Sequence, residues 1–482
     1  MSPPADRGAL ALVLHSHMPY VEGFGTWPFG EEWLWEAVAT VYLPLLDLLD
    51  GAPVTVGLTP VLCDQLETMR TDAGDRFLSY LRDVKPLVHA EAAAGLDEDG
   101  EPEAATELRR AAADYERADR SFERRGRDLL GAFAGLSGVE LVTSSATHAV
   151  LPLLATDAGL RLQLGVGVVS HGRRFGRWEG GFWLPECAYE PGLERDLAEA
   201  GVRAFCVDQT AALGRGSPHQ LEPVATAAGP VAVPIDWDTV ALVWGGGGYP
   251  AGAAYRDSFR RTRHDLAAWS VGGEPYRPAD ALAQAEDHAR DFVDRVIARL
   301  DAHRAERGRS GLLCCALDSE LLGHFWYEGP TWLAAVLREA GARGLELVTL
   351  RAGLERVDAV ERPLASSSWG VGGDLSTWDS PATAEVVFGA RRAELRVATA
   401  ATACVRPEAL ERAARELLAA QSSDWPFLIS RGTAGPYPRE RALAHIAGVD
   451  AALGPLPDSG AVPEPSLRSL APQLDLGSLI AP

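Results

Sequence analysis

The chain has 482 residues, of which 47% are apolar, and 67 acidic against 45 basic side chains give a net charge of −22. That length and apolar fraction suit a globular protein able to bury a large barrel together with an accessory domain. The charge weighs against nucleic acid and anionic membrane surfaces, both of which would repel it, and favours a neutral partner.

No segment approaches the roughly 20 unbroken apolar residues that a bilayer helix needs, and Met1 to Gly8 has no basic-then-apolar leader pattern. The expectation is a cytoplasmic protein without membrane contact, a monomer or small homo-oligomer. Six cysteines (Cys63, Cys187, Cys206, Cys314, Cys315 and Cys404) form no C-x-x-C pair and read as reduced core thiols.

In chain order, brief β-branched or aliphatic runs read as buried strands: Leu10 to His15, Val54 to Leu58, Val139 to Thr143, Gly165 to Val169, Phe182 to Leu184, Ala204 to Val207, Val231 to Ile235, Leu312 to Leu317 and Leu345 to Leu347. Helical patterns such as Leu193 to Ala200 and Thr331 to Ala340 lie between several of them. This alternation predicts an α/β fold whose parallel sheet closes, or nearly closes, into a barrel over residues 1–365. Two polar, helix-rich stretches near 68–133 and 255–309 read as insertions beside the barrel mouth. After a linker at Glu361 to Ser368, the helical periodicity of Ala384 to Cys404 and Glu408 to Gln421 predicts a C-terminal helical domain over 366–455. Residues 456–482, rich in Pro and Ser, read as a loosely docked tail.

In a parallel barrel the chemistry sits at the C-terminal ends of the strands. That rule selects His15 and His17, Glu186 in the run Gly181 to Tyr189, Asp208, and Asp318. Glu186 lies between Trp183 and Tyr189, and Asp318 is followed by Glu320, His324, Trp326 and Tyr327. Retaining cleavage of a glycosidic bond needs two carboxyl groups, roughly 5 Å apart, on opposite faces of the sugar, and Glu186 and Asp318 are available for those roles. Taken singly, an acid at a strand end also reads as a structural cap. His15, His17 and Asp208 admit a different chemistry, since alternate strand residues share a face and the three could ligate zinc as in a polysaccharide deacetylase. The imidazoles could equally bond sugar hydroxyls or be satisfied core histidines.

The chain is rich in tryptophan, with 13. Trp27, Trp33, Trp369 and Trp378 stand among Gly, Pro, Ser and acidic residues, which suggests platforms on which a pyranose face can pack. Val243 to Gly252, with four consecutive glycines and Tyr249 near its tip, reads as a mobile lid.

Several long segments, in order, resemble the signature regions of family 57 of the glycoside hydrolases and, more closely, its 1,4-α-glucan branching enzymes. They are His15 to Tyr20, Thr147 to Leu154, Trp183 to Tyr189, Leu317 to Pro330, Ser367 to Gly370 and Gln421 to Phe427. The resemblance implies a distorted (β/α)7 barrel with a C-terminal α-helical domain, Glu186 as nucleophile and Asp318 as general acid/base. It also implies a glucan groove lined by Trp27, Trp33, Trp369 and Trp378, with Trp269 as a weaker match. It adds substrate contacts from His15, His17, His148, Asp208, Tyr249, His324, Asp424 and Trp425, and calls for no metal or other cofactor. The implied activity is transfer of a chain from an α-1,4-glucan donor to the 6-hydroxyl of an acceptor glucan. An α-amylase-type hydrolase or a 4-α-glucanotransferase would use the same two carboxylates.

Overall fold

The computed structural model describes residues 7–403, 406–454, 467 and 469–480. Cys404 and, of the expected tail, residues 456–466, 468 and 481–482 lie outside the described residues.

The strands in chain order are β1 (Gly8–Ser16), β2 (Thr55–Leu58), β3 (Glu140–Val142), β4 (Gly181–Phe182), β5 (Ala204–Val207), β6 (Val224–Ala225), β7 (Val231–Pro234), β8 (Gly311–Asp318), β9 (Leu347–Val348) and β10 (Val360–Glu361). Hydrogen-bonded ladders run β3-β2-β1-β8 and β7-β5-β4, all parallel. Two parallel bridges, Thr143 to Phe182 and Ile235 to Cys314, join these halves into a ring of seven strands. Each seam has a single bridge, so the barrel is pinched there: a distorted (β/α)7 barrel. Strands β6 and β10 continue outward from β7, and β9 pairs the first half of β1.

The central strands are apolar on both faces because helices cover the outside and side chains fill the inside. All of β1 is buried. The register sets His15 beside Gly57 on one neighbour and Asp318 on the other, so the polar ends of β1 and β8 emerge together. The five described cysteines are free and buried, in keeping with the expected core thiols.

Residues 72–134 form the helices Asp72–Ser79, Lys85–Glu98, Pro102–Arg124 and Leu129–Ala134, with a π-helical turn at Tyr80–Val84. The helix Pro278–Arg307 buries Ala281, Ala285, Phe292, Val293, Val296 and Leu300 in the main core, as a barrel-covering helix does. Helices Ala384–Thr402, Pro407–Ala420, Asp424–Arg431 and Tyr437–Leu453 form the C-terminal bundle. The described part of the tail packs on it through Leu467, Leu470, Ala471 and Leu479. No helix of the described residues is long and apolar enough to cross a membrane.

One expected strand is a helix. Gly165 to Val169 lies inside the helix Asp157–Phe175, capped by Thr156, whose hydroxyl accepts from Gly159 N–H. The run is apolar on successive residues because the helix is buried on two sides. Leu160 and Leu164 face the barrel-side cluster, while Leu162 and Val166 face the C-terminal bundle. Two buried stripes erase the single-stripe signal of an amphipathic helix. The helix runs so close to the strand end after β3 that a Cβ on Gly167 would lie 2.1 Å from the Ser144 carbonyl oxygen. Gly167→Ala should therefore destabilise by about 1–3 kcal/mol through overpacking, read as a lower urea midpoint; an unchanged midpoint would contradict this close approach.

Candidate active site

A cavity of about 460 Å³ opens over the C-terminal strand ends, lined by His15, His17, His148, Glu186, Asp318 and Glu320 on the barrel side. Trp369, Asp424, Phe427 and Arg431 wall it from beyond residue 366. Its volume suits a ligand of a few ring units.

Glu186 follows β4 in the short helical turn Pro185–Cys187, at φ 60 and ψ 18. A non-glycine residue in this left-handed region costs on the order of 1–3 kcal/mol and needs support from its surroundings. Trp369 gives that support twice. Its backbone N–H donates to the Glu186 carbonyl at 3.0 Å, and its indole N–H donates to Oε2 at 2.8 Å. Burial raises the Glu186 carboxyl above its ordinary range, and the hydrogen bonds from Trp369 and Ser423 oppose that rise.

Asp318 ends β8. Burial, then the charges of Glu320 and Glu186, hold its carboxyl well above the carboxylate range, so it keeps its proton where an exposed aspartate would not. Glu320 takes the backbone N–H of His17 at 3.2 Å and the Tyr42 hydroxyl at 2.5 Å, and burial pushes it up to about 7.

Three imidazoles form the floor. His15 stacks on Trp183 at 4.5 Å and on His148 at 4.8 Å, and His148 stacks on His17 at 4.2 Å. Burial lowers His15 and His148, and the charge on His17 lowers them further. Burial would lower His17 too, but Asp424, Glu320 and Glu186 outweigh it and raise it. The stack therefore carries its charge on His17, whose Nε2 lies 2.8 Å from Asp424 Oδ2 and whose Nδ1 lies 3.1 Å from Thr59 Oγ1. Both ring nitrogens of His15 are buried without a hydrogen-bond partner. His148, itself at φ 58, places Nδ1 2.8 Å from Ser423 Oγ and 3.6 Å from Glu186 Oε1.

A profile of glycosyl hydrolase family 57 matches residues 11–243, and one for the C-terminal region of 1,4-alpha-glucan branching enzymes matches residues 390–474. The 1,4-alpha-glucan branching enzyme of Thermococcus kodakarensis is 33% identical, over 91% of this chain and 72% of its own length. The chain belongs to glycosyl hydrolase family 57. Among solved structures, the family-57 branching enzyme of Thermococcus kodakaraensis matches with a TM-score of 0.86 at 29% identity, covering 98% of this chain and 97% of that one. The Pyrococcus horikoshii branching enzyme matches with a TM-score of 0.83 at 30% identity, covering 91% and 88%.

In this family-57 chain the cavity gathers Glu186, Asp318, His15, His17, Trp33, His148, His324, Trp369 and Asp424. Other expected residues stand elsewhere. Asp208 does not converge with His15 and His17: it accepts from the Trp237 indole at 2.5 Å and from Thr210 N–H at 2.8 Å, so it positions Trp237, which does line the cavity. Among the described residues no group of His, Cys, Asp and Glu is arranged to hold a metal ion. The zinc alternative for these three residues therefore falls.

Tyr249 is not a swinging tip. Its ring stacks on His288 at 4.5 Å and its hydroxyl donates to Asp291 at 2.7 Å, burying it away from the cavity; Trp244, at the start of the glycine run, lines the cavity instead. Trp378 does line the cavity beside Trp369, as expected, but at 0% exposure it is packed on Val150 and Ala188 and forms part of the wall. Trp269 is buried with Ala92 and Leu108 and donates to Glu101 at 2.6 Å. Trp425 is buried against Val386 and Ala442 and donates to the Ala419 carbonyl at 2.7 Å. Trp27 is 72% exposed and stands outside the cavity lining. Trp237 and Trp244 are cavity residues that the sequence motifs did not single out, although Trp237 stands three residues after the end of β7, where the strand-end rule could have found it.

Asp424 is held low because the charge and hydrogen bond of His17 outweigh its burial. A histidine raised on folding adds stability below its unfolded pKa and loses it as pH climbs through the folded value. A carboxylate lowered on folding adds stability above its unfolded pKa and loses it as pH falls through the folded value. The pair thus stabilises most between about pH 4 and about pH 6.5, the ordinary values for Asp and His. Asp424→Asn should lower the urea midpoint most in that window and progressively less at higher pH. A deficit that does not vary with pH would contradict the charged pair.

Proposed function

We propose that this chain is a 1,4-α-glucan branching enzyme. One observation carries the reading. The likeness to branching enzymes spans 91% of the chain, and a branching-enzyme profile matches 390–474, the stretch from which Asp424, Phe427 and Arg431 reach the cleft.

Glu186 attacks the anomeric carbon of a glucosyl unit in the α-1,4-glucan donor. The C–O bond to the leaving chain breaks as Asp318 protonates the departing O4, and the donor remains as a glucosyl ester of Glu186. Asp318 is suited to begin as an acid because burial and two neighbouring carboxylates hold its proton. Ester formation removes the Glu186 charge, one of the causes of that elevation, so Asp318 releases its proton more readily at the stage that needs a base. It then takes the proton of an acceptor 6-hydroxyl, O6 attacks the anomeric carbon, and Glu186 departs. The product is an α-1,6 branch. The unpartnered nitrogens of His15 suit hydroxyls of the glucosyl ring, while Trp33 and Trp369 supply aromatic surface for its C–H faces.

Hydrolysis is the second reading, and the docked position of Tyr249 favours it as a side reaction: no side chain of the 245–252 loop lines the cavity to exclude water.

Amylose incubated with the protein and then debranched by an isoamylase should yield new short chains; new reducing ends alone would make the chain a hydrolase. Glu186→Gln should lower both branching and hydrolysis by at least about a thousandfold, as loss of a nucleophile does, with fold retained by circular dichroism. Appreciable residual turnover would assign the nucleophile elsewhere.

A further inference from the structure

A second cavity, about 500 Å³, lies between the helix Pro102–Arg124, the loop 256–267 and the turn after β8. His324 lines both this cavity and the catalytic one, so the two meet at its imidazole. We propose that this second cavity binds an α-glucan chain as the far arm of the acceptor track, an inference that rests on the branching reading above.

The lining has the chemistry of a neutral polyhydroxyl site. Tyr115 and Tyr327 present half-buried rings whose hydroxyls are fixed, Tyr115 donating to Glu36 at 3.0 Å and Tyr327 donating to Asp114. Glu36 is held by Lys85, the single lysine of the chain, at 2.6 Å. The three arginines of the lining are already engaged. Arg117 pairs with Asp114, Arg256 pairs with Glu107 and donates to the Ala267 carbonyl at 3.0 Å, and Arg261 donates to the Ser258 and Asp265 carbonyls. Among the described residues of the lining, no cluster of uncommitted cations is left to select phosphate or another anion. One face of each ring is covered by a cation, Lys85 over Tyr115 at 4.3 Å and Arg256 over Tyr327 at 4.0 Å, so the lining offers the remaining ring surface together with spare acceptor and donor positions, which suit sugar rings and their hydroxyls.

Its position fits the second substrate of a branching reaction. An acceptor chain that attacks through a 6-hydroxyl enters the site in mid-strand, so it must continue on both sides of the reacting unit, whereas one that attacks through its terminal 4-hydroxyl extends on one side only. The cavity beyond His324 gives that second direction. Phe325, 54% exposed, lines the catalytic cavity at the same corner, and its carbonyl accepts from Ser258, a residue of the second cavity. Phe259, which follows Ser258 in the chain, is 95% exposed.

The test uses Thr331→Trp, which plugs the second cavity from an exposed rim position on the helix Gly329–Arg343, with Thr331→Ser as control. Branching of amylose, scored after isoamylase, should fall at least tenfold in Thr331→Trp while reducing-end release from maltoheptaose stays within twofold of wild type, and Thr331→Ser should match wild type in both. Undiminished branching in Thr331→Trp overturns the inference, as does an equal fall of both activities. Titration calorimetry with maltoheptaose separates this from failure of the branching reading. Glu186→Gln protein should bind two oligosaccharides and the Glu186→Gln/Thr331→Trp protein one, even if wild type makes no branches. Equal stoichiometry in the two proteins overturns the second site.

Discussion

The site depends on the double attachment of Trp369 to Glu186. The carboxylate sits on a left-handed turn that a glutamate does not adopt unaided, and the partner that fixes both its backbone and its side chain comes from 183 residues away. The same indole packs on Trp183 at 5.1 Å, Trp183 stacks on His15, and the ring series continues through His148 to His17 and its counter-ion Asp424. Both ends of that series belong to the chain beyond residue 366. The strands bring the reactive groups to one end of the barrel, and the later segments fix how those groups point.

Charge is distributed under the same constraint. Glu186, Asp318, Glu320 and Asp424 share one buried cleft with one protonated imidazole, and burying four carboxylates as anions beside a single cation would cost more than that cation returns. The protons therefore sort unequally. Asp424, bonded to His17, is held low, Glu320 is pushed up to about 7, and Asp318 is held well above the carboxylate range. Asp424 and Asp318 come to differ in protonation because only Asp424 faces the cation, and it is Asp318, away from it, that is left holding a proton for use as the acid.

The parts legible in the sequence were those set by neighbours along the chain. Strands β1, β5 and β8 carry short apolar runs that end just before His15, Asp208 and Asp318, so strand-end position could be read from local pattern alone. Side-chain direction could not. Asp208 is at a strand end as expected but turns to Trp237, and Tyr249 turns to Asp291, 42 residues on. The tryptophans make the same point. Trp269, Trp378 and Trp425 stand in polar or glycine-rich surroundings in sequence, yet each is buried by partners distant in the chain, such as Glu101 for Trp269 and Val150 for Trp378. The helix Asp157–Phe175 carries a strand-like run because it serves two cores at once, and periodicity reports a helix best when only one side is buried.

That helix has a consequence for how the protein comes into being. Its Leu162 and Val166 belong to the same apolar cluster as Ala413 and Leu417, and the chain before it is tied to Glu394 through the N–H groups of Ala155 and Thr156. A nascent chain that has emerged only as far as β8 holds both reactive carboxyl groups but neither the clamp on the Glu186 turn nor the anion that charges His17. The full set of contacts that orients the two carboxyl groups therefore exists only once the chain has been made past Asp424, so the order of synthesis places the parts of the site that react before the parts that aim them.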